Sequence, residues 1–221
     1  MKQPLVLAIT GASGAIYATR LLEVLIQTGR EVHLTISTAG QIVLKQELDI
    51  AVDLDRFDTG KLMSDARKVT FGSGLDFDSQ TDANPTPGRI HYHHYRDLMA
   101  PIASGSFLTM GMVIVPCSGS TLSAIASAAG GNLIRRAADV HLKEGRKLIL
   151  VPRETPLSSL QLDNMRRASE AGGVVLPAAP GWYHGVRSIA DLVDFIVARI
   201  LDQLGIEHSL VHRWGEEGHD V

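Results

Sequence analysis

The sequence predicts an α/β fold, a parallel sheet with helices on both faces. Three observations predict it. Short runs that are apolar throughout alternate with segments of helical periodicity, as strands buried on both faces alternate with helices. Glycine-rich turns follow directly on apolar runs. The first strand, turn, helix and second strand fit within about 35 residues, the size of a βαβ unit.

The elements follow in order. Residues 5–10 are an apolar strand that stops at Gly11-Ala12-Ser13-Gly14. Residues 16–27 are a helix, apolar at Ile16, Leu21, Leu22, Val24 and Leu25, with Gly29 as its stop. Residues 32–37 are the second strand and 39–48 the second helix. Residues 112–116 are an apolar strand, and the small residues of 123–129 a helix. Then come a helix over 132–144 with Gly145 after it, a strand over 147–151, a helix over 157–171 and a short strand over 173–176. Residues 188–204 form a long amphipathic helix with Ile189, Leu192, Val193, Ile196, Ile200 and Leu204 on one face. No internal repeat is present. The chain reads as one domain over 1–221, with a C-terminal tail over 205–221.

One segment breaks the alternation. Residues 72–88 are rich in Gly, Asp, Ser, Asn, Thr and Pro and read as an exposed loop. Asp76, Asp78 and Asp82 fall in it without the glycine and glutamate of a calcium loop. His91 and His93 share a strand face, and with His94 they read as polar residues of an edge strand rather than metal ligands. No metal site is expected.

Composition narrows the function. The chain has 221 residues, 45% hydrophobic and 20% charged, enough for a core of ordinary size. A net charge of −3 gives no electrostatic reason to expect nucleic acid or an anionic membrane. The single cysteine, Cys117, excludes an intramolecular disulfide and a zinc site built on cysteines. No apolar run approaches the ~20 residues of a membrane span, so a cytoplasmic protein is expected.

In an open α/β sheet, ligands sit beyond the carboxyl ends of the strands. The first strand leads into Gly11-Ala12-Ser13-Gly14-Ala15, where a helix N-terminus offers N–H groups to an anion. This is not G-x-G-x-x-G, and Ser37-Thr38 supplies no acidic residue for a nicotinamide ribose. A phosphate or flavin therefore fits better than NAD, against the plain alternative of a tight turn. Cys117-Ser118-Gly119-Ser120-Thr121 opens another helix and is a second cradle, or ordinary N-capping. Cationic residues accompany the cradles. Arg135, Arg136 and Lys143 share a helix, Arg153 and Glu154 follow a strand, and Trp182, Tyr183 and His184 follow Pro180-Gly181. Together these suggest two phosphates, one on a cofactor and one on a substrate.

Six stretches resemble the UbiX family of flavin prenyltransferases. They are Thr10-Gly11-Ala12-Ser13-Gly14, residues 100–106 (APIASGS), 116–122 (PCSGSTL), 132–140 (NLIRRAADV), 151–156 (VPRETP) and 180–184 (PGWYH). The resemblance runs nearly end to end and includes Arg213-Trp214-Gly215. It implies a flavodoxin-like Rossmann fold and bound FMN, reduced for activity. It implies transfer of a dimethylallyl group from dimethylallyl phosphate to flavin N5, then ring closure at C6. It implies that the product, prenylated FMN, passes to a UbiD-type decarboxylase. The resemblance further implies that no metal is required and that the homo-oligomer is a dodecamer with sites at subunit interfaces.

Carried over by position, Gly11, Ala12, Ser13, Ser37, Ser118, Gly119, Ser120, Thr121 and Arg153 match FMN-contacting positions. Ser104, Arg136, Lys143, Arg153, Tyr183 and Arg199 match positions that hold the substrate phosphate. Glu154 and Ser13 match a proton-handling pair, and Glu47 a further active-site acid. Two departures stand out. Leu98 stands where the family carries Trp, whose face would line the prenyl pocket, and the 72–88 loop is longer than the family's. Two other readings share the fold: a flavin-dependent cysteine decarboxylase of the phosphopantothenoylcysteine type, and a non-catalytic flavodoxin-like carrier. Neither needs the cationic set.

Overall fold

The computed structural model describes residues 3–72 and 87–211. The strands are β1 (Leu5–Ile9), β2 (Glu31–Ile36), β3 (Arg89–Tyr92), β4 (Gly111–Cys117), β5 (Leu148–Pro152) and β6 (Val174–Val175). All pair in parallel, in the order β3-β2-β1-β4-β5-β6. The helices are α1 (Ala15–Gln27), α2 (Thr38–Leu48), α3 (Thr59–Gly72), α4 (Gly119–Ala126), α5 (Leu133–Lys143), α6 (Ser159–Glu170) and α7 (Ile189–Leu204).

The strand sequences explain their places. β1, β4 and β5 are buried at every residue and carry no charged side chain, as central parallel strands do. β2 alternates: Val32, Leu34 and Ile36 join one apolar core, while Glu31, His33 and Thr35 face the other way. β3 is the polar edge strand that the sequence predicts. Without β3 the order is 2-1-4-5-6, which is the flavodoxin-like arrangement. The chain winds outward from β1 through β2, then restarts at β4 on the other side of β1. The crevice between the carboxyl ends of β1 and β4 is therefore the topological switch point, where such sheets bind ligands.

Two cores cover the two faces. One packs Leu7, Ile9 and Leu34 against Leu21, Leu25 and Ile200, which come from α1 and α7. The other packs Val6, Ile114 and Leu150 against Leu122, Leu133 and Ile134, which come from α4 and α5. An ion pair fixes α7 on α1. Arg20 donates through Nε and Nη2 to the Asp194 carboxylate at 2.8 and 3.2 Å, and through Nη1 to Glu23 at 3.0 Å. All three side chains are buried, so losing one partner strands a charge, at a cost of about 3–5 kcal/mol.

Several boundaries differ from the sequence prediction. α3 was not anticipated; of its described side chains only Leu62 and Ala66 are buried, too sparse an apolar stripe to show as periodicity. α4 covers Gly119–Ala126 rather than 123–129, because Ser118 caps it and Ala128 adopts a left-handed φ of 52° that ends it. On α7, Ile189 is exposed rather than part of the buried face. Residues 73–86, with Asp76, Asp78 and Asp82, and the Arg213-Trp214-Gly215 stretch lie outside the described residues. Among the described residues, no helix is long and apolar enough to cross a membrane.

Candidate active site

The switch point is laced together by backbone and by one hydroxyl. Thr10 Oγ1 donates to the Pro116 carbonyl at 2.7 Å and accepts from the Ser118 N–H at 2.8 Å, joining the exits of β1 and β4. The Ser37 N–H donates to the Ile9 carbonyl at 3.0 Å, which holds the exit of β2 alongside. Two glycines let α2 press onto this point. A Cβ on Gly11 would lie 2.3 Å from Ala39 Cβ, and one on Gly40 would lie 2.6 Å from the Ile9 carbonyl oxygen.

The first expected anion cradle is filled from within the chain. Glu47, at the end of α2, accepts the Gly14 N–H at 2.9 Å and the Ala15 N–H at 2.9 Å. A carboxylate thus already occupies the positive end of α1, as the helix dipole favours. Contrary to the expectation from the sequence, these two N–H groups are not open to a phosphate. The other two helix starts differ. Ser37 caps α2 by accepting the Gly40 N–H at 3.0 Å. Ser118 caps α4 by accepting the Thr121 N–H at 3.3 Å, and its Oγ lies 3.2 Å from Ser120 Oγ and 3.0 Å from Thr121 Oγ1. N-capping and a hydroxyl-rich donor set therefore coexist at α4: Ser118 Oγ donates to Thr121 Oγ1, and the Thr121 hydroxyl keeps its own proton to donate. This chemistry, hydroxyl and N–H donors at helix starts around a switch point, fits a phosphorylated flavin.

Arg153 leaves β5 and reaches across the same point. Its Nε donates to the Ser13 carbonyl at 3.3 Å. Tyr17, which sequence reasoning missed, is half-buried beside it, its ring within about 3 Å of where a Cβ on Gly14 would stand. Burial pushes the Tyr17 phenol above its ordinary value; the charge of Arg153 opposes that rise and the charge of Glu47 adds to it. One electrostatic neighbourhood thus contains Tyr17, Arg153 and Glu47, with Ser13 joined to it through Arg153. Glu154 is exposed and accepts the Thr155 N–H at 3.1 Å. It makes no ion pair with Arg153 among the described residues.

The remaining predicted cations form two other groups. Arg136 donates through Nε to the Ala103 carbonyl at 3.1 Å and pairs with Asp139 at 3.2 Å. Lys143 pairs with Glu144, and both side chains crowd Gly105. Ser104, Arg136 and Lys143 therefore gather where α5 meets the loop after Ala103. Tyr183 packs edge-on to Phe195 of α7, ring centroids 5.8 Å apart, and Arg199 lies one turn further on, paired with Asp202 at 2.9 Å. Leu98 is 55% exposed, beside Met99 at 92%.

Comparison with known proteins places this arrangement. The family described as Flavoprotein matches residues 1–201. The flavin prenyltransferase UbiX of Pseudomonas aeruginosa is 49% identical over 211 residues, covering 96% of this chain and 93% of that protein. A crystal structure of AnUbiX in complex with FMN and dimethylallyl pyrophosphate superposes with a TM-score of 0.79 at 35% identity, covering 99% of this chain and 100% of that one. A dodecameric FMN-dependent UbiX-like decarboxylase from Escherichia coli O157:H7 gives 0.76, also at 35% identity, covering 98% and 100%.

Proposed function

The chain belongs to the flavoprotein family as a UbiX-type flavin prenyltransferase, and from that premise we propose how its residues divide the reaction. The enzyme transfers a dimethylallyl group to FMN. The observation that carries the assignment of roles is the meeting at one switch point of two serine-capped helix starts, Ser37 and Ser118, with Arg153.

FMN, reduced and bound, supplies the N5 and C6 positions that receive the prenyl group. Gly11, Ala12 and Ser13 present close-approaching backbone to it, while Ser37 and Ser118 to Thr121 supply hydroxyl and N–H donors for its phosphate. Arg153 serves both anions. Ser104, Arg136, Lys143, Tyr183 and Arg199 hold the phosphate of dimethylallyl phosphate. An allylic phosphate leaves without a metal when cations neutralise its oxygens, and such electrostatic stabilisation is often the largest catalytic contribution. Glu154, with Ser13, hands a proton to the departing phosphate and later takes one away. Glu47 holds the start of α1 and with it the loop that carries Ser13.

Among the described residues, Arg136 and Lys143 of α5 pair with Asp139 and Glu144, while Arg199 of α7 pairs with Asp202. Assembly into a dodecamer brings such groups from neighbouring copies to one site. The product goes to a UbiD-type decarboxylase, in the cytoplasm. The test is to incubate the protein with reduced FMN and either dimethylallyl phosphate or dimethylallyl pyrophosphate, then to take mass spectra of the flavin. Gain of one prenyl unit is expected, and the two arms identify the donor. An unchanged flavin with both donors defeats the assignment. Loss of carboxylate from a cysteine substrate would favour the decarboxylase reading instead.

A further inference from the structure

We propose that Glu31, His33 and His91 form a binding site for one divalent transition-metal ion of the zinc class, at the β2–β3 edge of the sheet and apart from the flavin crevice.

The parallel register places His33 directly beside His91. The period of two then puts Glu31 and His33 on the same face of β2, and His91 on the matching face of β3, with His93 just beyond that strand's end. Glu31 Oε1 lies 3.1 Å from His91 Nε2 and 3.4 Å from His33 Nε2. One ligand atom from each of the three residues lies within 4.8 Å of the others. A tetrahedral ion with bonds of about 2.0–2.2 Å spaces its ligand atoms by about 3.3 Å, which these separations approach.

His33 is the telling residue. It is 5% exposed, and its buried Nε2 makes no close hydrogen bond: it has the Glu31 carboxylate oxygen beside it at 3.4 Å. That long contact leaves room for an ion between the nitrogen and the carboxylate. Its other nitrogen is already engaged: His33 Nδ1 lies 2.8 Å from His93 Nε2. A metal-ligating histidine typically has its second nitrogen held in this way, which fixes the tautomer and the ring. Neighbouring rings confine it further, with His91 stacked at 5.0 Å and Phe107 tilted at 4.9 Å, centroid to centroid. Two imidazoles and one carboxylate suit zinc, cobalt, nickel or copper, whereas calcium and magnesium take oxygen ligands. The site lies on the first half of β2, while the flavin crevice opens beyond the strands' carboxyl ends. A bound ion would tie the edge strand to its neighbour and guard an otherwise open edge.

The test uses the full chain stripped with EDTA. Calorimetric titration with Zn²⁺ and the visible absorption of Co²⁺ are expected to show one ion bound per chain. Zn²⁺ is expected to raise the melting temperature, because an ion that binds only the folded state stabilises it. Glu31 and His91 are exposed, so Glu31→Gln and His91→Ala leave the cores intact. Each is expected to lower affinity and to abolish the thermal shift, with FMN binding retained. His93→Ala, which acts through His33, should weaken binding by about 10–100-fold. A parent chain that binds neither ion overturns the proposal, and so does a His91→Ala chain that binds as tightly as the parent. None of these readouts depends on prenyl transfer.

Discussion

Glu154 leaves β5 into solvent with one recorded hydrogen bond, to the next residue's N–H. That freedom matters, because a carboxyl committed to Arg153 could not shuttle protons. Glu154→Gln keeps size and hydrogen bonding but cannot transfer a proton. It is expected to retain FMN and to slow prenyl transfer by about 10²–10⁴-fold, read from the rate at which prenylated flavin accumulates. Transfer at the parent rate would remove the acid–base role. A second residue-scale expectation concerns His141, buried between the Thr109 hydroxyl at 2.8 Å and the Ala137 carbonyl at 2.7 Å. Burial pushes its imidazole below the ordinary value. Its folded form is therefore neutral where the unfolded chain already takes up a proton. The stability it contributes is present above about pH 6.5 and lost as pH falls below that. Melting temperature should drop between about pH 7.5 and 5.5, less steeply in His141→Gln. His33 and His93 are shifted the same way and keep part of the slope. Ser37, Ser118 and Arg153 were legible as site candidates because they stand at strand exits. Tyr17 and the reach of Glu47 to α1 were not, since the latter spans 33 positions with no local pattern to announce it.

At the scale of elements, the exits of β1 and β2 are held apart by less than a methyl group. Gly11→Ala would put a Cβ 2.3 Å from that of Ala39. The start of α2 must then back away from β1. Overpacking of this kind costs about 1–3 kcal/mol, so a lower melting temperature and weaker FMN binding are expected together, by thermal denaturation and flavin titration. Unchanged values in both would show that the contact is soft. The strands were legible because β1, β4 and β5 are unbroken apolar runs, which only a doubly covered sheet uses. α3 was not, because it shows only Leu62 and Ala66 buried among its described side chains. The start of α4 was hidden too: Gly119, Ser120 and Thr121 resemble a loop in composition, and their helicity depends on the Ser118 cap.

At the scale of the whole molecule, several large apolar side chains among the described residues stand in solvent. Met99 is 92% exposed, Leu160 77%, Trp182 71% and Tyr183 64%. Tyr183 belongs to the proposed substrate site, and in the reading proposed above a dodecamer, the assembly of the UbiX-like relative, buries such residues between copies. Light scattering at micromolar concentration is expected to give a large assembly. A single species of 23.8 kDa would count against a site shared between copies. The sheet, meanwhile, joins its two halves at β1 and β4, and β4 ends in the chain's one thiol. Cys117 is 1% exposed, and burial pushes its thiol up to about 12. Alkylating reagents attack the thiolate, so the native protein should ignore them until β4 peels open. Its rate of labelling is then a stopwatch on the breathing of the crevice, and a flavin seated against the neighbouring Ser118 should slow it.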